Sequence, residues 1–238
     1  MKAVILAGGV GTRLQPVIGN DNSKVMLRYS GKPLLQRTIE TLKENGINEI
    51  VLVVSHQKEK MMSYFGDGSK FGVKIEYVFQ KHPKGGTADA TGYAKEKIND
   101  DKFVLIYGDN VFLAETLEKL IAASKNFDGV MCGKEVENPS NYGILEIEND
   151  TVKKIHEKPE SPPSNIANTG LFVLPKKIFS AIEKTELSPR GEYELTDSIQ
   201  MLINDGTSIG CVVAKEFWSD PRSKEELDEA QKAVGEMK

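Results

Sequence analysis

The sequence predicts an α/β protein, a three-layer α/β/α sandwich around a mixed, mostly parallel sheet. Two observations carry this prediction. Unbroken runs of Val, Ile and Leu, such as residues 50–54, are typical of strands that are covered on both faces, as in parallel sheets. In the first half of the chain these runs alternate with segments of helical spacing, and that alternation is the element order of a doubly wound sheet.

The elements of the first half follow from the spacing of apolar residues. An apolar run at 2–6 predicts the first strand. Leu35, Ile39 and Leu42 then recur at helical spacing until Gly46 ends the helix. The remaining predictions for this half are a strand at 50–54, a helix around 59–65, a strand at 73–79, a helix that starts near Thr87, and a strand at 103–107.

After about residue 135 the pattern changes. Two runs, at 143–147 and 152–156, are separated by a short polar connection and predict an antiparallel hairpin. The later predictions are a short loop at 159–163, a strand at 171–174, a helix near 176–183, a helix at 195–203, a strand at 208–214, and a charged helix from Lys224. We expect both halves of the chain to share one sheet.

Composition excludes several classes of protein. The chain has 238 residues, 39% of them hydrophobic and 28% charged, which is ordinary for a globular protein and unlike disordered, collagen-like or coiled-coil chains. Its 31 basic and 35 acidic residues give a net charge of −4, so no chain-wide positive field is available to hold nucleic acid. Any phosphate group of a ligand must therefore be bound by cationic side chains close to it.

Cysteine usage and the N-terminal segment predict a location. Cys132 and Cys211 are too few for a disulfide framework and predict two buried thiols in a reducing compartment. The apolar run at 4–7 ends in glycines and is too short for a signal peptide or a membrane span. We expect a cytoplasmic chain with no membrane partner.

A glycine-rich loop directly follows the first predicted strand. Gly8, Gly9 and Gly11 let the backbone approach a polyanion and turn its N–H groups toward it, and Arg13 adds a forked, permanent charge. The loop lacks the third small residue of the dinucleotide fingerprint and the G-K-[ST] of a P-loop. It predicts a phosphate-binding loop, with a plain glycine-rich turn as the alternative.

The stretch from Leu6 to Pro16 reads L-A-G-G-x-G-T-R-L-x-P and resembles the signature of the sugar-1-phosphate nucleotidyltransferases, also called nucleotide-sugar pyrophosphorylases. Further matches follow in the family's order at 23–24, 31–34, 80–90, 108–110, 142–143, 157–159, 168–170, 194–197 and 218–220. The resemblance implies a Rossmann-like nucleotide-diphospho-sugar transferase fold in a single domain over 1–238. In it, about 1–135 is the nucleotide-binding half, and about 136–238 is the sugar-binding half with the C-terminal helix. No C-terminal β-helix domain is expected.

The resemblance also implies roles for four cations. Arg13 would lie against the β- and γ-phosphates that leave as pyrophosphate, and Lys24 nearer the α-phosphate. Lys158 and Arg190 would lie beside the phosphate of the sugar. Arg13, Lys24 and Lys158, together with Asp109, are the implied catalytic residues. The alternative for any one of these cations is a solvated surface position.

Two aspartates are candidate metal ligands. Asp109 follows the strand at 103–107 and lies at the carboxyl edge of the predicted sheet, where ligands gather in open α/β folds. A carboxylate there suits Mg²⁺, which prefers oxygen ligands and bridges phosphates. The resemblance makes Asp220 the second carboxylate on the same ion, with Mg²⁺ as cofactor. The family usually continues W-x-D-[VI]-G-[TS], whereas here Pro221 and Arg222 follow the aspartate, so its place at the metal is an open question. A helix cap or turn is the alternative for both.

The nucleotide base requires groups that both donate and accept hydrogen bonds. The amide of Gln80 can do both against a pyrimidine edge, together with the backbone after it. The family usually has one glycine before the Thr-Ala motif and this chain has two, so a plain strand-to-helix connection is an alternative. The implied nucleotide-binding residues are Leu6, Ala7, Gly8, Gly9, Gly11, Thr12, Gln80, Gly85, Gly86, Thr87 and Asp109.

The sugar requires carboxylates and amides, because a hexose presents hydroxyl groups that donate and accept. The residues that the resemblance implies at the sugar phosphate are Asn110, Tyr142, Gly143, Glu157, Lys158, Asn168, Thr169, Arg190, Glu194 and Trp218. We expect Trp218 to pack against this site rather than stack on substrate. His56, His82 and His156 show no metal-ligand spacing and are expected to be structural or exposed.

The expected reaction is transfer of a nucleotidyl group from dTTP or UTP to a hexose 1-phosphate, glucose 1-phosphate first, by Mg²⁺-dependent in-line displacement. The motifs at 108–110 and 189–197 favour the thymidylyl branch. The alternatives are an N-acetylglucosamine-1-phosphate uridylyltransferase, a cytidylyl or guanylyl transferase of the same fold, and a non-catalytic regulatory subunit that binds a nucleotide sugar. Members of the family often form dimers or tetramers, so a homo-oligomer is an open expectation.

Overall fold

The computed structural model describes residues 1–9, 11, 14–19, 23–55, 57–82 and 85–236. The strands are β1 Ala3–Leu6, β2 Arg28–Tyr29, β3 Lys32–Pro33, β4 Glu49–Val54, β5 Lys74–Phe79, β6 Lys102–Tyr107, β7 Val111–Phe112, β8 Gly129–Glu135, β9 Gly143–Glu148, β10 Thr151–Glu157, β11 Ile166–Pro175, β12 Ile209–Val213 and β13 Trp218–Ser219. The helices are α1 Gln15–Ile18, α2 Leu34–Glu44, α3 Lys58–Phe65, α4 Gly86–Gly92, α5 Ala114–Ala123, α6 Ile178–Ile182, α7 Leu195–Asn204 and α8 Lys224–Glu236. None of these helices combines the length and the apolar character that crossing a membrane requires.

Nine of the strands form one mixed sheet in the order β5-β4-β1-β6-β11-β8-β12-β10-β9. β5, β4, β1 and β6 pair in parallel. β11 then runs antiparallel to both β6 and β8, and β12 is parallel to β8 and antiparallel to β10. The predicted α/β class is confirmed. Because β8 lies between β11 and β12, strands from the two halves of the chain interleave in a single sheet.

The sheet is covered by helices on both faces. Successive residues of a strand point to opposite sides, so an unbroken apolar run supplies two cores at once. Ile5 and Leu52 pack with α2, α3 and α5 on one face. Val4 and Val53 pack with α4, α6 and α7 on the other. A smaller cluster around Tyr29 holds α8 against β2.

Most predicted elements are present with ends shifted by a few residues. The hairpin is β9 and β10, and Cys132 and Cys211 are buried without a disulfide. Sequence analysis leaves α5 and β8 unassigned. It also places at 171–174 a strand that is in fact the longer β11, because the polar residues Asn168 and Thr169 interrupt the apolar pattern.

β11 carries an irregularity that bears on the site. Its pairing with β8 changes register between Asn168 and Phe172. Gly170, inside this irregularity, has a φ of 78°. A Cβ there would lie 2.5 Å from Asn110 Nδ2 and 2.5 Å from Tyr107 Cδ2. Only glycine therefore allows β11 to approach the end of β6.

We expect Gly170→Ala to lower the free energy of unfolding by about 3 kcal/mol, of which about 1 comes from the left-handed backbone and about 2 from overlap with its neighbours. The matched control is Gly206→Ala, where φ is 83° and a Cβ would meet nothing within 4 Å. It should cost about 1 kcal/mol. Equal losses for the two variants in denaturant unfolding, followed by circular dichroism, would show that the close approach costs nothing.

Candidate active site

The predicted site residues collect at the carboxyl ends of β1 and β6, where two clefts adjoin. The first cleft is lined by Leu6, Gly8, Gly9, Gly11, Lys24, Val25, Gln80, Gly86, Thr87, Ala90, Tyr107 and Asp109. The second cleft is lined by Thr87, Tyr107, Asp109, Asn110, Asn141, Tyr142, Gly143, Glu157, Lys158, Asn168, Thr169, Gly170, Arg190, Glu192, Glu194, Thr196, Trp218, Asp220 and Arg222.

A smaller side cavity opens beside the two clefts. It is lined by Gly11, Leu14, Lys24, Asp109, Asp220, Pro221 and Arg222. Asp109 is the residue that the two clefts and this cavity share. A ligand in either cleft would therefore approach the same carboxylate.

Lys24 lies at this junction and is only 6% exposed. Its Nζ is 3.1 Å from Asp109 Oδ2 and 2.6 Å from Asp220 Oδ1. Burial lowers the pKa of Lys24, but the charges of Asp109 and Asp220 and the hydrogen bonds to them outweigh burial and raise it above its ordinary value. The side chain is therefore a fixed positive charge at neutral pH. We call these three residues the junction cluster.

Asp220 is held from a second side by Arg222. Its Oδ2 accepts hydrogen bonds from Arg222 Nη2 at 2.8 Å and Nε at 3.0 Å. Burial raises the pKa of Asp220, but the nearby charges of Lys24 and Arg222 outweigh burial and lower the pKa below its ordinary value. The carboxylate is thus ionised at neutral pH. The unusual Pro221-Arg222 sequence does not move Asp220 away, because it shares the Lys24 ammonium with Asp109.

The junction cluster offers a donor set that fits Mg²⁺. Asp109 and Asp220 already face one cation, the Lys24 ammonium, and their oxygens are the hard donors that Mg²⁺ prefers. Among the described residues, no group of three or more His, Cys, Asp or Glu side chains is arranged to hold a metal. The protein would therefore supply two carboxylates, and bound phosphates and water would complete the shell.

Gln80 is buried in the first cleft with a fixed orientation. Its Nε2 donates to Asp89 Oδ2 at 2.9 Å. Since a carboxylate only accepts, this contact directs the amide nitrogen to Asp89 and leaves the carbonyl oxygen against the glycine loop. A Cβ at Gly8 would lie 3.0 Å from Gln80 Oε1. Sequence analysis did not single out Asp89, because a helical aspartate carries no distinct signal.

Gly85 and Gly86 both exclude a side chain, but for different structural reasons. A Cβ at Gly85 would lie 2.7 Å from Asp89 Cγ. Gly86 has a φ of 90°, and its Cβ would lie 2.5 Å from the Tyr193 carbonyl oxygen. Gly86 lines the first cleft, whereas the N–H of Gly85 donates to the His82 carbonyl.

Tyr107 and Thr87 form the wall between the clefts. Tyr107 is the last residue of β6, and burial raises the pKa of its hydroxyl although a hydrogen bond with Thr87 lowers it. Thr87 Oγ1 accepts a hydrogen bond from the Leu195 backbone N–H at 2.9 Å. Sequence analysis did not single out Tyr107, although it directly precedes the Gly-Asp-Asn motif.

The second cleft is rich in carboxylates that surround Arg190. Arg190 Nη1 is 2.6 Å from Glu157 Oε1 and 3.2 Å from Glu194 Oε1, and its Nη2 is 3.5 Å from Glu192 Oε2. Burial raises the pKa of Glu194, although the Arg190 charge lowers it. Lys158 Nζ lies 3.5 Å from Glu157 Oε1. The charge of Arg190 is therefore more than balanced by its neighbours.

Backbone and ring contacts fix the far wall of the second cleft. The Thr169 carbonyl accepts hydrogen bonds from Asn110 Nδ2 at 2.6 Å and Trp218 Nε1 at 3.2 Å. Trp218 packs edge-on against Tyr142, with the ring centroids 5.7 Å apart. The indole is thus held by the protein while it lines the cleft.

The structure brings together nearly all predicted site residues that it describes. Ala7 and Gly85 do not line a cleft, and the N–H of Ala7 donates to the Val53 carbonyl. Thr12, Arg13 and His56 lie outside the described residues. His82 is exposed, and His156 Nε2 lies 3.0 Å from Glu146 Oε2. The lining residues outside every motif that sequence analysis matched are Val25, Tyr107, Asn141 and Arg222, whereas Ala90, Gly170, Glu192 and Thr196 lie within matched motifs.

Comparison with known proteins identifies the family. The family model described as Nucleotidyl transferase matches residues 2–236. The chain belongs to the nucleotidyl transferase family. This confirms the family and the type of enzyme that the motifs predict, a sugar-1-phosphate nucleotidyltransferase.

Relatives agree with this membership. The low-salt glycan biosynthesis nucleotidyltransferase Agl11 of Haloferax volcanii is 40% identical over 100% of this chain and 67% of its own length. The UTP–glucose-1-phosphate uridylyltransferase AglF of the same organism is 34% identical over 99% of this chain and 97% of its own. The chain spans 54% of the bifunctional GlmU protein of Methanocaldococcus jannaschii, which it also matches.

A solved structure shares the fold of this nucleotidyl transferase. It is assigned as a glucose-1-phosphate thymidylyltransferase of Bacillus anthracis and contains sucrose. It is 29% identical, covers 100% of this chain and 96% of its own, and has a TM-score of 0.90. The predicted fold is thereby confirmed.

We expect Lys24→Met to lower the free energy of unfolding at pH 7 by about 2 kcal/mol, because it removes the ammonium that pairs with both Asp109 and Asp220, while Asp220 keeps its pairing with Arg222. The lowered pKa of Asp220 gives stability that is present above its unfolded pKa of about 4 and is lost as pH falls through the folded pKa. The difference from wild type should therefore shrink below about pH 4.

Lys32→Met is the matched control for this variant. Its Nζ pairs with Glu40 Oε2 at 2.8 Å on the surface, so its loss should cost under about 1 kcal/mol. Denaturant unfolding at pH 7 and pH 3 provides the measurement. A Lys24→Met deficit that stays constant between the two pH values would contradict the assignment of this stability to ionised carboxylates.

Proposed function

We propose that this protein transfers a nucleotidyl group from a pyrimidine nucleoside triphosphate, dTTP or UTP, to a hexose 1-phosphate, releasing pyrophosphate. Glucose 1-phosphate is the first candidate, because the names of AglF and of the Bacillus anthracis protein both contain it. Those two names differ in the nucleotide, one uridylyl and one thymidylyl, so both triphosphates are proposed. The observation that carries the proposal is the meeting of two clefts at the junction cluster.

Charge is the main obstacle that the site must overcome. Two unit negative charges brought to about 4 Å repel by roughly 4 kcal/mol at an effective dielectric near 20, and both substrates carry several. The chain as a whole has a net charge of −4 and adds to this repulsion. Lys24 in the first cleft and Lys158 in the second cleft are placed to cancel it. We propose that Arg13 adds a further charge at the triphosphate.

We propose Mg²⁺ as the cofactor, held by Asp109 and Asp220. When bound, the ion neutralises phosphate charge and polarises the phosphoryl oxygens. Lys24 would then turn from these two carboxylates to the phosphates. Its raised pKa means that it arrives fully protonated.

The chemistry requires alignment more than proton transfer. A phosphate oxygen of the sugar phosphate is already anionic at neutral pH, so it attacks the α-phosphorus without a general base. The new P–O bond forms as the bond to pyrophosphate breaks, and the electron pair leaves on the pyrophosphate oxygen. Lys24 and Lys158 hold the two phosphates in register and stabilise the charge that develops.

Substrate selection is divided between the clefts. We propose that the Gln80 amide reads the pyrimidine edge, with Asp89 fixing its orientation at 2.9 Å. Glu157, Glu194 and Asn168 in the second cleft would read sugar hydroxyls. This division assigns the nucleotide mainly to residues 1–135 and the sugar mainly to 136–238.

A location follows from the two cysteines. Cys132 and Cys211 are buried and unpaired in the structure. Buried thiols without a disulfide suit a reducing compartment, so we propose that the reaction takes place in the cytoplasm.

We expect the purified protein to release pyrophosphate from dTTP or UTP with glucose 1-phosphate and Mg²⁺. Asp109→Asn should lower kcat/KM at least about 100-fold, because it removes a charged ligand at the point where the clefts meet. Asp205→Asn, an exposed aspartate after α7, is the matched control and should leave the rate unchanged. A coupled pyrophosphate assay over the common triphosphates and sugar 1-phosphates provides the test. No release from any pair would exclude the proposed activity.

Base selection gives a separate prediction. Gln80→Ala should reduce the preference between pyrimidine and purine triphosphates about tenfold or more in kcat/KM, because it removes one polar reader of the base edge. Gln36→Ala, a half-buried glutamine on α2, is the control. An unchanged ranking of the four triphosphates in the Gln80 variant would show that other groups read the base.

A further inference from the structure

Arg222 makes more contacts at the junction than any motif predicts. Two of its nitrogens donate to one oxygen of Asp220, at 2.8 and 3.0 Å. Its Nη1 donates to the Asn141 carbonyl at 2.8 Å, and its Cζ lies 4.2 Å from the Tyr142 ring centroid. Its backbone N–H donates to Glu226 Oε2 at 2.6 Å. The guanidinium is therefore fixed on several sides between the second cleft and the side cavity.

These contacts divide the two oxygens of Asp220 between two cations. Oδ2 is taken by Arg222, and Oδ1 faces Lys24 at 2.6 Å. Lys24 can turn to an arriving phosphate, since its stem is flexible. Arg222 cannot easily do so, because Asn141 and Tyr142 also hold it. Asp220 is thus left with one oxygen, Oδ1, for a divalent cation.

The same contacts balance the charge of the junction. Lys24 and Arg222 carry two positive charges, and Asp109 and Asp220 carry two negative charges. The four groups sum to zero before any ligand arrives. A divalent cation gains little from a neutral cluster and is repelled at short range by the fixed guanidinium. It is attracted only once the anionic phosphates add their charge.

We propose that Arg222 is a positioning residue that presents Asp220 through one oxygen and cancels its charge, so that the free enzyme binds divalent cations weakly and takes up the cation with its anionic substrates. The proposal rests on the proposed function, which places a divalent cation at Asp109 and Asp220. It adds a residue and an order of binding that the two clefts alone do not imply.

The test measures Mn²⁺ binding to the free protein by isothermal titration and by electron paramagnetic resonance, with no nucleotide or sugar present. Arg222→Gln removes the charge and keeps a side-chain donor for Asp220. We expect it to bind Mn²⁺ at least about tenfold more tightly than wild type. Arg222→Lys keeps the positive charge but loses the paired guanidinium donors, so its affinity for Mn²⁺ should stay within about threefold of wild type. Unchanged or weaker binding by Arg222→Gln would overturn the proposal, as would equal tightening by Arg222→Lys.

A double variant tests whether the tighter Mn²⁺ binding of Arg222→Gln depends on Asp220. In Asp220→Asn/Arg222→Gln the tighter Mn²⁺ binding should disappear, because the carboxylate that Arg222 balances is gone. Persistence of the gain would place the ion elsewhere and refute the proposal. Thermal unfolding of each variant checks that it is folded. Pyrophosphate release by the wild type tests the proposed function separately. The proposed function and the proposed role of Arg222 can therefore fail independently.

Discussion

The Lys24 ammonium joins three segments that are far apart in the chain. Asp109 lies 85 residues away and Asp220 lies 196 residues away, and both contact the same Nζ. The buried ammonium is costly to desolvate, so it depends on the two partly exposed carboxylates being in place. The cluster therefore requires the segment between α1 and β2, the end of β6 and the segment after β13 to meet at one point.

The order of strands explains why two clefts meet there. β6 is the last strand of the parallel part, and its antiparallel neighbour β11 approaches it closely only because Gly170 has no side chain. Tyr107 ends β6 and Asp109 follows two residues later, while Asn168 and Thr169 lie at the start of the irregularity in β11. A parallel edge and an antiparallel strand thus present polar residues to the same space. In a chain with a net charge of −4, Lys24 and Arg222 lie where the phosphates are proposed to bind, and Asp109 and Asp220 balance their charges.

Sequence analysis identified the parts of this arrangement that a contiguous motif or apolar run marks in the chain. The glycines after β1, the apolar runs of β4 and β6, and the motif at Asp109 are contiguous and can be recognised one by one. It did not reach Tyr107, Asn141 or Arg222, because each gains its place from a neighbour distant in the chain. Arg222 is instructive: its position after Asp220 was noted as a departure, but only the folded structure shows that it holds the carboxylate. α5 and β8 were missed because no distinctive motif marked the segment between Asn110 and Glu135.

The two substrates are proposed to meet directly across the junction cluster, without a covalent enzyme intermediate. The stereochemistry at phosphorus tests this most directly. A triphosphate with a chiral α-phosphorothioate is turned over with the sugar 1-phosphate, and the configuration of the nucleotide-sugar product is determined by ³¹P nuclear magnetic resonance. Direct in-line attack predicts inversion at the α-phosphorus. Retention would require two successive displacements and would contradict the account.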